Sequence, residues 1–591
     1  MVLCYNRSKE DTPMRVNIVK YKHSITFYII ESFRHQGKST SRIVEKLGSL
    51  NDVIAKANGQ DPYLWADQQA ALRTAEQHKG QRDIHFTLSN HTLIDPHSTP
   101  RVNVGYLFLK KIYHELRLDE LASTLCKTSK LEYDLDAILA SLLYARILYP
   151  SSKLSSFEAS KKFLDAPTFD LHHVYRALDV LAKHSDVIQA HLYQHSQAVV
   201  DRNPAVLYYD CTNFFFEIEE ADGLKQYGKS KEHRPNPIVQ MGLFLDGNGI
   251  PLAFDLTPGN TNEQTTLLPL EKRILRDFEL SKLIVCTDAG LSSKRNRLFN
   301  SFANRAYVTV QSLKKLKQHL KTWALDPSGW TLQGSNKPIH LKDIDLEDMN
   351  IVYTKERWIH ENGLEERLIV TFSPKYKHYQ ETLRGRQIER ALHQIETKAP
   401  TRSAKNPNDP ARFIHETTTT PSGELAQNRF LSLDEGKIED ERQYDGFYGV
   451  VTNLEDAVQT IIQINQRRWE IEESFRIMKS EFKARPVYLQ KEERIKAHFL
   501  TCFMALTLFR ILEKRIDEVA TAETLIQTLR EMDLHPIRGQ GYLPLFKRTE
   551  LTDTLQVRFG YQLSTQIVDL ETMKKNKRMA KQKKLLQLEH I

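Results

Sequence analysis

Two aspartates stand where a metal-dependent reaction could take place. Asp210 follows the apolar run 206–209, and Asp288 follows the apolar run 283–286, two residues before Gly290. Runs of this length are typical of buried strands. We therefore expect both carboxylates at strand ends, where α/β sheets bind ligands. Taken singly, each aspartate is more typical of an ordinary turn residue.

A third acid comes from a helix predicted at 455–484. With about 100° per residue and Arg468 set at zero, Glu472 falls near 40°, Arg476 near 80° and Lys479 near 20°. These basic side chains border an apolar stripe on the same helix: Ile464, Ile471, Phe475, Met478 and Phe482. The competing interpretation is an exposed helix with (i, i+4) ion pairs, Arg468–Glu472 and Glu472–Arg476.

Glu472 is the one glutamate of three that lies within the basic stripe. Glu470 and Glu473 fall at roughly 200° and 140°, away from it. Three carboxylates suit Mg²⁺, a hard ion that prefers oxygen ligands. Two such ions can activate an attacking hydroxyl and stabilise a leaving oxygen, while Arg and Lys side chains hold an anionic DNA strand.

Composition places the chain among ordinary globular proteins. Its 591 residues predict about three to five structural units. Hydrophobic residues make up 40%, which excludes a disordered tail protein, a collagen and a disulfide miniprotein. Lys and Arg number 83 against 75 Asp and Glu, so the net charge of +8 permits a polyanionic partner without requiring one.

Cysteine spacing and apolar runs bear on the compartment. The five Cys form no Cys-x-x-Cys pair, which argues against a zinc ribbon or a disulfide framework and fits the cytoplasm. The polar N-terminus shows no secretory signal. The longest apolar run, 499–509, is shorter than the roughly 20 residues of a membrane helix, so we expect a buried core helix and no membrane.

The elements that must position the acids follow a change of pattern near residue 205. The runs at 206–209, 238–245 and 250–256 predict a three-stranded meander. A helix at 264–277, the strand 283–286, a helix at 293–303 and a strand at 306–310 follow, and a strand at 447–452 resumes the core. This is the order of a ribonuclease-H-like sheet.

The predicted organisation is therefore α/β, with helical regions at both ends. We predict a β-hairpin and mixed region (1–100), a helical region that could bind DNA ends (101–200), the first part of the catalytic core (201–318), a β-rich insertion (319–445), the second part of the core with the Glu helix (446–520), and a helical C-terminal region with a basic tail (521–591).

Three further patterns have competing readings. Predicted helices at 153–163 and 171–184 fit a helix-turn-helix, although a plain packing unit is the commoner meaning. His184, His191 and His195 share a helical face, but a zinc site needs a fourth ligand. Seven Lys or Arg in 574–584 predict a solvated tail or a nonspecific phosphate contact.

From about 200 to 515 the chain resembles the DDE transposases of bacterial insertion sequences, most closely the IS-four-like group. Five blocks in order carry the resemblance: Tyr208 to Thr212; Gly228 to Pro235 with Gln240 to Leu243; Gly249 to Asn260; Thr287 to Ser293; and Arg468 to Ser480. The last block fits the signature Tyr-x2-Arg-x3-Glu-x6-Lys at Arg468, Glu472 and Lys479. Asn465 stands at the tyrosine position, so no role for an aromatic hydroxyl is carried over to it.

The resemblance implies a ribonuclease-H-like core in which Asp210, Asp288 and Glu472 bind two Mg²⁺ or Mn²⁺ ions. It implies that Arg468 and Lys479 contact DNA phosphates near the cut. We add four further basic residues to the predicted DNA-binding set: Arg476, Lys229, Lys231 and Arg234. Some members form a hairpin on the element end, and an aromatic residue of the insertion then stacks on a flipped base; Trp323, Trp330 and Trp358 are the candidates.

The expected function is cut-and-paste transposition: cleavage at the terminal inverted repeats of an element and strand transfer into target DNA. The resemblance implies a homodimer on paired DNA ends, in the bacterial cytoplasm with the nucleoid. A metal-dependent nuclease of the same fold without strand transfer is one alternative. A DNA-binding protein derived from a transposase that no longer cuts is another.

Overall fold

The computed structural model describes residues 14–21, 24–35, 38–77, 90–91, 93, 101–278, 280, 283–332, 335, 337–361, 363–397, 409–419 and 425–584. The chain divides into two compact units, Met1–Asp95 and Pro96–Ile591.

The first unit is a three-stranded antiparallel sheet with two helices. Its strands are β1 (Arg15–Tyr21), β2 (Ser24–His35) and β3 (Lys38–Ser49), in the order β1-β2-β3. Its helices are α1 (Leu50–Ala57) and α2 (Pro62–Gln77). Ser49 begins α1 with a capping box, in which its hydroxyl and the Asp52 carboxylate satisfy each other's backbone N–H groups. Phe27, Ile29 and Val53 are fully buried in a core between sheet and helices.

The second unit holds the remaining strands of the described residues. They are β4 (Val102–Asn103), β5 (Val206–Phe215), β6 (Ile238–Asp246), β7 (Pro251–Pro258), β8 (Leu283–Thr287), β9 (Arg305–Gln311), β10 (Trp330–Leu332), β11 (Pro338–Ile339), β12 (Tyr353–Glu361), β13 (Leu364–Phe372), β14 (Ile414–Thr419), β15 (Leu425–Leu433), β16 (Phe447–Thr452), β17 (Asp533–Ile537), β18 (Gly541–Pro544) and β19 (Val568–Asp569).

The helices of the second unit lie before, between and after these strands. They are α3 (Tyr106–Glu115), α4 (Leu118–Thr128), α5 (Leu135–Leu148), α6 (Lys153–Ser160), α7 (Leu171–Lys183), α8 (Ser185–Ser196), α9 (Leu267–Asp277), α10 (Lys294–Phe299), α11 (Gln318–Leu325), α12 (Pro374–Glu396), α13 (Glu435–Arg442), α14 (Val458–Gln466), α15 (Trp469–Ser480), α16 (Glu492–Arg515), α17 (Ala522–Glu531), α18 (Glu550–Phe559) and α19 (Leu570–Ala580).

A large mixed sheet dominates the second unit, and within the described residues it has ten strands in the order β11-β10-β12-β13-β16-β9-β8-β5-β6-β7. β5, β6 and β7 form the antiparallel meander that the sequence predicted, and β5, β8 and β9 run parallel. β16 pairs antiparallel with β9 although the segment 319–445 separates them in sequence. Strands β10 to β13 of that segment extend the same sheet beyond β16, while β14 and β15 form a separate pair.

Alternation along β5 and β8 divides the core into two faces. Tyr208 of β5 and Cys286 of β8 belong to the larger apolar core, which also contains the buried side chains of α5, α15 and α16. Leu207 and Val285 point to the opposite face, where α9 covers the sheet. Side chains at even positions of both strands therefore face the helices α15 and α16.

The apolar run 499–509 lies inside α16, as predicted for a core helix. This helix is long and apolar enough to cross a membrane by length and composition, but 94% of its most apolar stretch is buried inside the protein. It packs against α3, α5, α7 and β7. A helix that is apolar on all sides needs such a complete covering.

The basic C-terminal run is not a free tail over its described part. Residues 574–580 lie in α19, whose Met573, Asn576 and Ala580 are buried. Lys577 pairs with Asp165 at 2.5 Å, and Lys583 pairs with Asp119 at 2.9 Å. The prediction of a solvated tail was wrong for this part of the chain, because one face of α19 packs into the protein through Met573, Asn576 and Ala580, although most Lys and Arg side chains of the run are exposed.

Candidate active site

Asp210 and Asp288 occupy neighbouring positions on parallel strands. The pairing of β5 with β8 ends at Tyr208 opposite Cys286. Asp210 and Asp288 each lie two residues beyond that last pair, and the Asp288 carboxylate acts electrostatically on the Asp210 carboxyl, so the two side chains lie near each other. Both aspartates lie at even positions, so they share the sheet face covered by α15.

The prediction that Asp210 ends its strand was wrong, because β5 continues to Phe215. Its residues beyond Asp210 pair with β6 alone, for example Phe214 with Val239. Asp210 instead lies where the parallel neighbour β8 ends, which leaves room beside it. Asp288 follows β8 directly, as predicted, and its Oδ1 accepts a hydrogen bond of 3.0 Å from the backbone N–H of Leu291.

Burial and charge perturb the carboxyl group of Asp210. Burial raises its pKa to about 6; the Lys231 ammonium opposes the rise, the Asp288 carboxylate adds to it, and the Arg468 guanidinium also opposes it. The Lys231 ammonium donates to the carbonyl oxygen of Cys211 and lies 3.4 Å from Glu263. Asp210 thus has one neighbouring carboxylate that repels its charge and two neighbouring cations that partly offset this repulsion, and a buried carboxyl so perturbed is a candidate for a functional site.

Glu472 stands on the helix that covers this face of the sheet. α15 packs against β5 and β6, and its Ile471 and Phe475 are buried as the apolar stripe predicted. The Glu472 side chain is 57% exposed and accepts an ion pair of 3.0 Å from Arg468. Arg468 also interacts electrostatically with Asp210, so one guanidinium acts on both acids.

The single long helix predicted at 455–484 is two helices. α14 ends at Gln466, and α15 begins at Trp469, because Arg467 and Arg468 form a turn. The hydrogen bonds from Glu470 and Ile471 reach back only three residues there. The turn places Arg468 at the start of α15. From Arg468 onward, the side-chain directions predicted at about 100° per residue apply along α15.

Glu470 has a structural position that the sequence did not indicate. Its side chain points away from Glu472, as predicted, but it is buried and pairs with Arg510 of α16 at 3.3 Å. The other predicted ion pair of Glu472 does not form, since Arg476 binds Glu473 in two hydrogen bonds of 2.7 and 2.5 Å. Glu472 is the glutamate of α15 left beside Arg468.

The predicted DNA-binding residues fall into two groups. Lys229 is exposed, and the exposed Arg234 lies over the Phe215 ring at 4.2 Å. Lys479 is mostly covered and pairs with Glu232 at 3.5 Å, and Arg485 pairs with the same glutamate. Glu232, which sequence analysis missed, therefore fastens the segment 228–235 to the end of α15.

Among the described residues, one group of possible metal ligands has all its ligand atoms within 4.8 Å of one another. It consists of Asp170, His172 and His173 at the start of α7, and of these Asp170 and His172 are exposed. The three predicted carboxylates do not form a group this compact, because Glu472 turns toward Arg468. The donors of Asp210 and Asp288, two adjacent carboxylates with mutual repulsion, fit a divalent cation.

The three candidate tryptophans differ in exposure. Trp330 is fully buried and donates its indole N–H to the carbonyl oxygen of Asp326 at 2.8 Å. Trp323 is partly covered, with Lys355 over its ring at 5.1 Å. Trp358 is 42% exposed and lines a groove of about 930 Å³ that also includes the exposed Phe302.

The sequence of this chain matches a family model described as "Transposase DDE domain" over residues 213–508, just over half of the chain. The chain belongs to this transposase family. It is a DDE transposase, an enzyme of DNA cleavage and strand transfer. The matched range contains Asp288, Arg468, Glu472 and Lys479, and it begins three residues after Asp210.

Among solved structures, the transposase is similar to a piggyBac transposase synaptic complex with hairpin DNA, at 7% identity and a TM-score of 0.37, over 73% of this chain and 80% of that one. It is also similar to a Mos1 transposase paired-end complex with left transposon end, at 12% identity and a TM-score of 0.13, over 42% of this chain and 69% of that one. No curated protein sequence matches the chain.

Proposed function

We propose that this transposase moves an insertion sequence of the IS-four-like group by a cut-and-paste reaction. It would cleave DNA at the terminal inverted repeats and join the freed 3′ hydroxyl to target DNA. The observation that supports the proposal is the electrostatic effect of Asp288 on the nearby Asp210, together with an Arg468 guanidinium that acts on Asp210 and pairs with Glu472. The strand order β7-β6-β5-β8-β9, an antiparallel meander followed by two parallel strands, supports a ribonuclease-H-like core.

Asp210, Asp288 and Glu472 would hold two Mg²⁺ or Mn²⁺ ions. When bound, such ions supply an activated hydroxyl and stabilise the leaving oxygen in an in-line displacement. The protein's own contribution is position: β5 and β8 fix two carboxylates side by side, and Glu472 stands on α15 above them. Glu472 would leave Arg468 on metal loading, which frees the Arg468 guanidinium for a DNA phosphate.

Basic side chains around this face would hold the DNA strand. Lys229 and Arg234 are exposed and placed for phosphate contacts, and Arg476 extends the basic edge along α15. Lys479 is mostly covered and Lys231 acts on the carboxyl group of Asp210, so we assign both to the scissile phosphate rather than to flanking DNA. The reaction on paired ends implies a homodimer.

The decisive experiment compares two glutamates of one helix. Purified protein with Mg²⁺ and DNA from the ends of the element should give nicked and joined products. Glu472→Gln should abolish both products while DNA binding remains, and Glu473→Gln, on the next residue, should retain both. Unchanged cleavage by Glu472→Gln would refute the site, and cleavage without joining by the unmodified protein would favour the nuclease alternative.

If the reaction passes through a hairpin, Trp358 is the residue we assign to the flipped base. It is the most exposed of the three candidate tryptophans and borders a groove wide enough for a base. Stacking on an aromatic ring contributes about 1–3 kcal/mol per base. Trp358→Ala should therefore reduce hairpin formation, whereas Trp323→Ala should leave it unchanged. Equal effects of both substitutions would reject this assignment.

A further inference from the structure

The family signature lacks its tyrosine in this chain, yet a tyrosine hydroxyl lies at the same place. Asn465, at the signature position, is buried in the last turn of α14. Its Nδ2 donates a hydrogen bond of 3.3 Å to the hydroxyl oxygen of Tyr448. Tyr448 comes from β16, a different element of the core.

The same hydroxyl interacts electrostatically with Arg468. Burial raises the pKa of Tyr448, while the Asn465 amide and the Arg468 guanidinium both act to lower it. The interaction is mutual, because Tyr448 also contributes to the raised pKa of Arg468. Arg468 in turn pairs with Glu472 and acts on Asp210. A short path of polar contacts therefore runs from β16 to the predicted acids.

Two buried polar atoms in this path have no hydrogen-bond partner among the residues that the structure describes. They are Oδ1 of Asn465 and Nε of Arg468. Buried polar groups are nearly always satisfied, and those that are not commonly mark a functional site. The Tyr448 hydroxyl, which can donate and accept, stands beside both side chains.

We propose that Tyr448 is a positioning residue that orients the Arg468 guanidinium for catalysis and replaces the missing signature tyrosine. The proposal rests on the proposed function, since it needs Arg468 to work beside Asp210 and Glu472. Tyr448 acts through Arg468 and touches no reacting atom. Its ring is held separately, by an edge-to-face contact with Tyr376 of α12 at 6.2 Å between ring centroids.

Tyr448→Phe removes the hydroxyl and keeps the ring, so it tests the contact without a cavity. We expect the rate of end cleavage at saturating DNA to fall roughly tenfold, the effect of losing one hydrogen bond to a charged group. DNA affinity and the unfolding midpoint should change little. Tyr376→Phe is the matched control, because it removes a hydroxyl from the contacting ring and should leave the cleavage rate unchanged.

Two double variants separate positioning from a general structural effect. The first adds Tyr448→Phe to Arg468→Lys, which keeps the charge but not the planar donor. In that background Tyr448→Phe should lower the cleavage rate less than twofold, because the effects of substitutions at coupled residues do not add. Adding Asn465→Tyr to Tyr448→Phe should restore at least half of the lost rate. Full additivity with Arg468→Lys, or an unchanged rate for Tyr448→Phe, would overturn the proposal.

The two proposals fail in different ways. If Asp210→Asn still cleaves DNA, the active site itself is misplaced. If Asp210→Asn abolishes cleavage while Tyr448→Phe cleaves at the normal rate, the active site stands and the role of Tyr448 is rejected.

Discussion

Neutralising Asp210 should remove activity and stabilise the metal-free protein. The folded protein raises the pKa of Asp210 from 3.8 to about 6, so the ionised carboxylate is less favourable in the folded state than in the unfolded chain. A difference of about 2 pKa units corresponds to about 3 kcal/mol. Asp210→Asn, which keeps the shape of the side chain, should recover up to that amount at pH 8.

The sign of the pH dependence follows from the raised pKa. The destabilisation is complete above about pH 6, declines as the pH falls, and disappears only below the unfolded value of 3.8, where the carboxyl is protonated in both states. The stability gain of Asp210→Asn should therefore be complete at pH 8 and fall to about one third of that at pH 4.5. Urea unfolding with a chelator present, at both pH values, measures it.

Asp246 on the neighbouring strand is the matched control. Its side chain is fully buried and pairs with Arg202 at 2.7 Å. Removing one partner of such a pair leaves a buried charge unpaired, which costs about 3–5 kcal/mol. Asp246→Asn should therefore destabilise the protein where Asp210→Asn stabilises it. A loss of stability in Asp210→Asn at pH 8 would refute this reasoning, which holds that the ionised Asp210 carboxylate, buried near Asp288, destabilises the metal-free protein.

Three further outcomes are expected. Affinity for Mg²⁺ should fall about tenfold per pH unit below about pH 6, where protons compete for Asp210, as titration calorimetry would show; a flat profile would contradict the ligand assignment. Glu470→Gln should lower the free energy of unfolding by about 3–5 kcal/mol through loss of the buried pair with Arg510, and a neutral result in urea unfolding would contradict that pair. Gly242→Ala should lower the free energy of unfolding by about 1–3 kcal/mol, because the added Cβ would lie 2.3 Å from the Tyr209 hydroxyl oxygen. An unchanged midpoint of urea unfolding would contradict this prediction and show that the Tyr209 ring can move aside.

Local patterns predicted the central strands well. The apolar runs at 206–209, 238–245, 250–256 and 283–286 all lie in strands, because buried strands need continuous apolar sequence. Helix α15 could be oriented from its periodicity alone, which placed Ile471 and Phe475 inward. These features depend on neighbours in sequence, so a single sequence contains them.

Features that depend on distant contacts could not be predicted. The extension of β5 past Asp210 depends on pairing with β6. The break between α14 and α15 contains no proline or glycine that would have indicated it in the sequence. Glu232 and Tyr448 reach the site from other elements, so no spacing rule connects them with Arg468. The proximity of Asp210 to Asp288 was expected because both residues follow apolar runs. The register of β5 and β8, which brings them together, depends on how the strands pair and cannot be deduced from the sequence.

The late arrival of β16 has a consequence for synthesis on the ribosome. β9 is complete at residue 311, but its outer edge is covered only when 447–452 emerge. At about 5–20 residues per second, that edge waits on the order of ten seconds, open to pairing with another nascent chain. Glu472, the last of the three proposed metal ligands, emerges later still, so under the proposed assignment the site is incomplete until most of the chain has been translated.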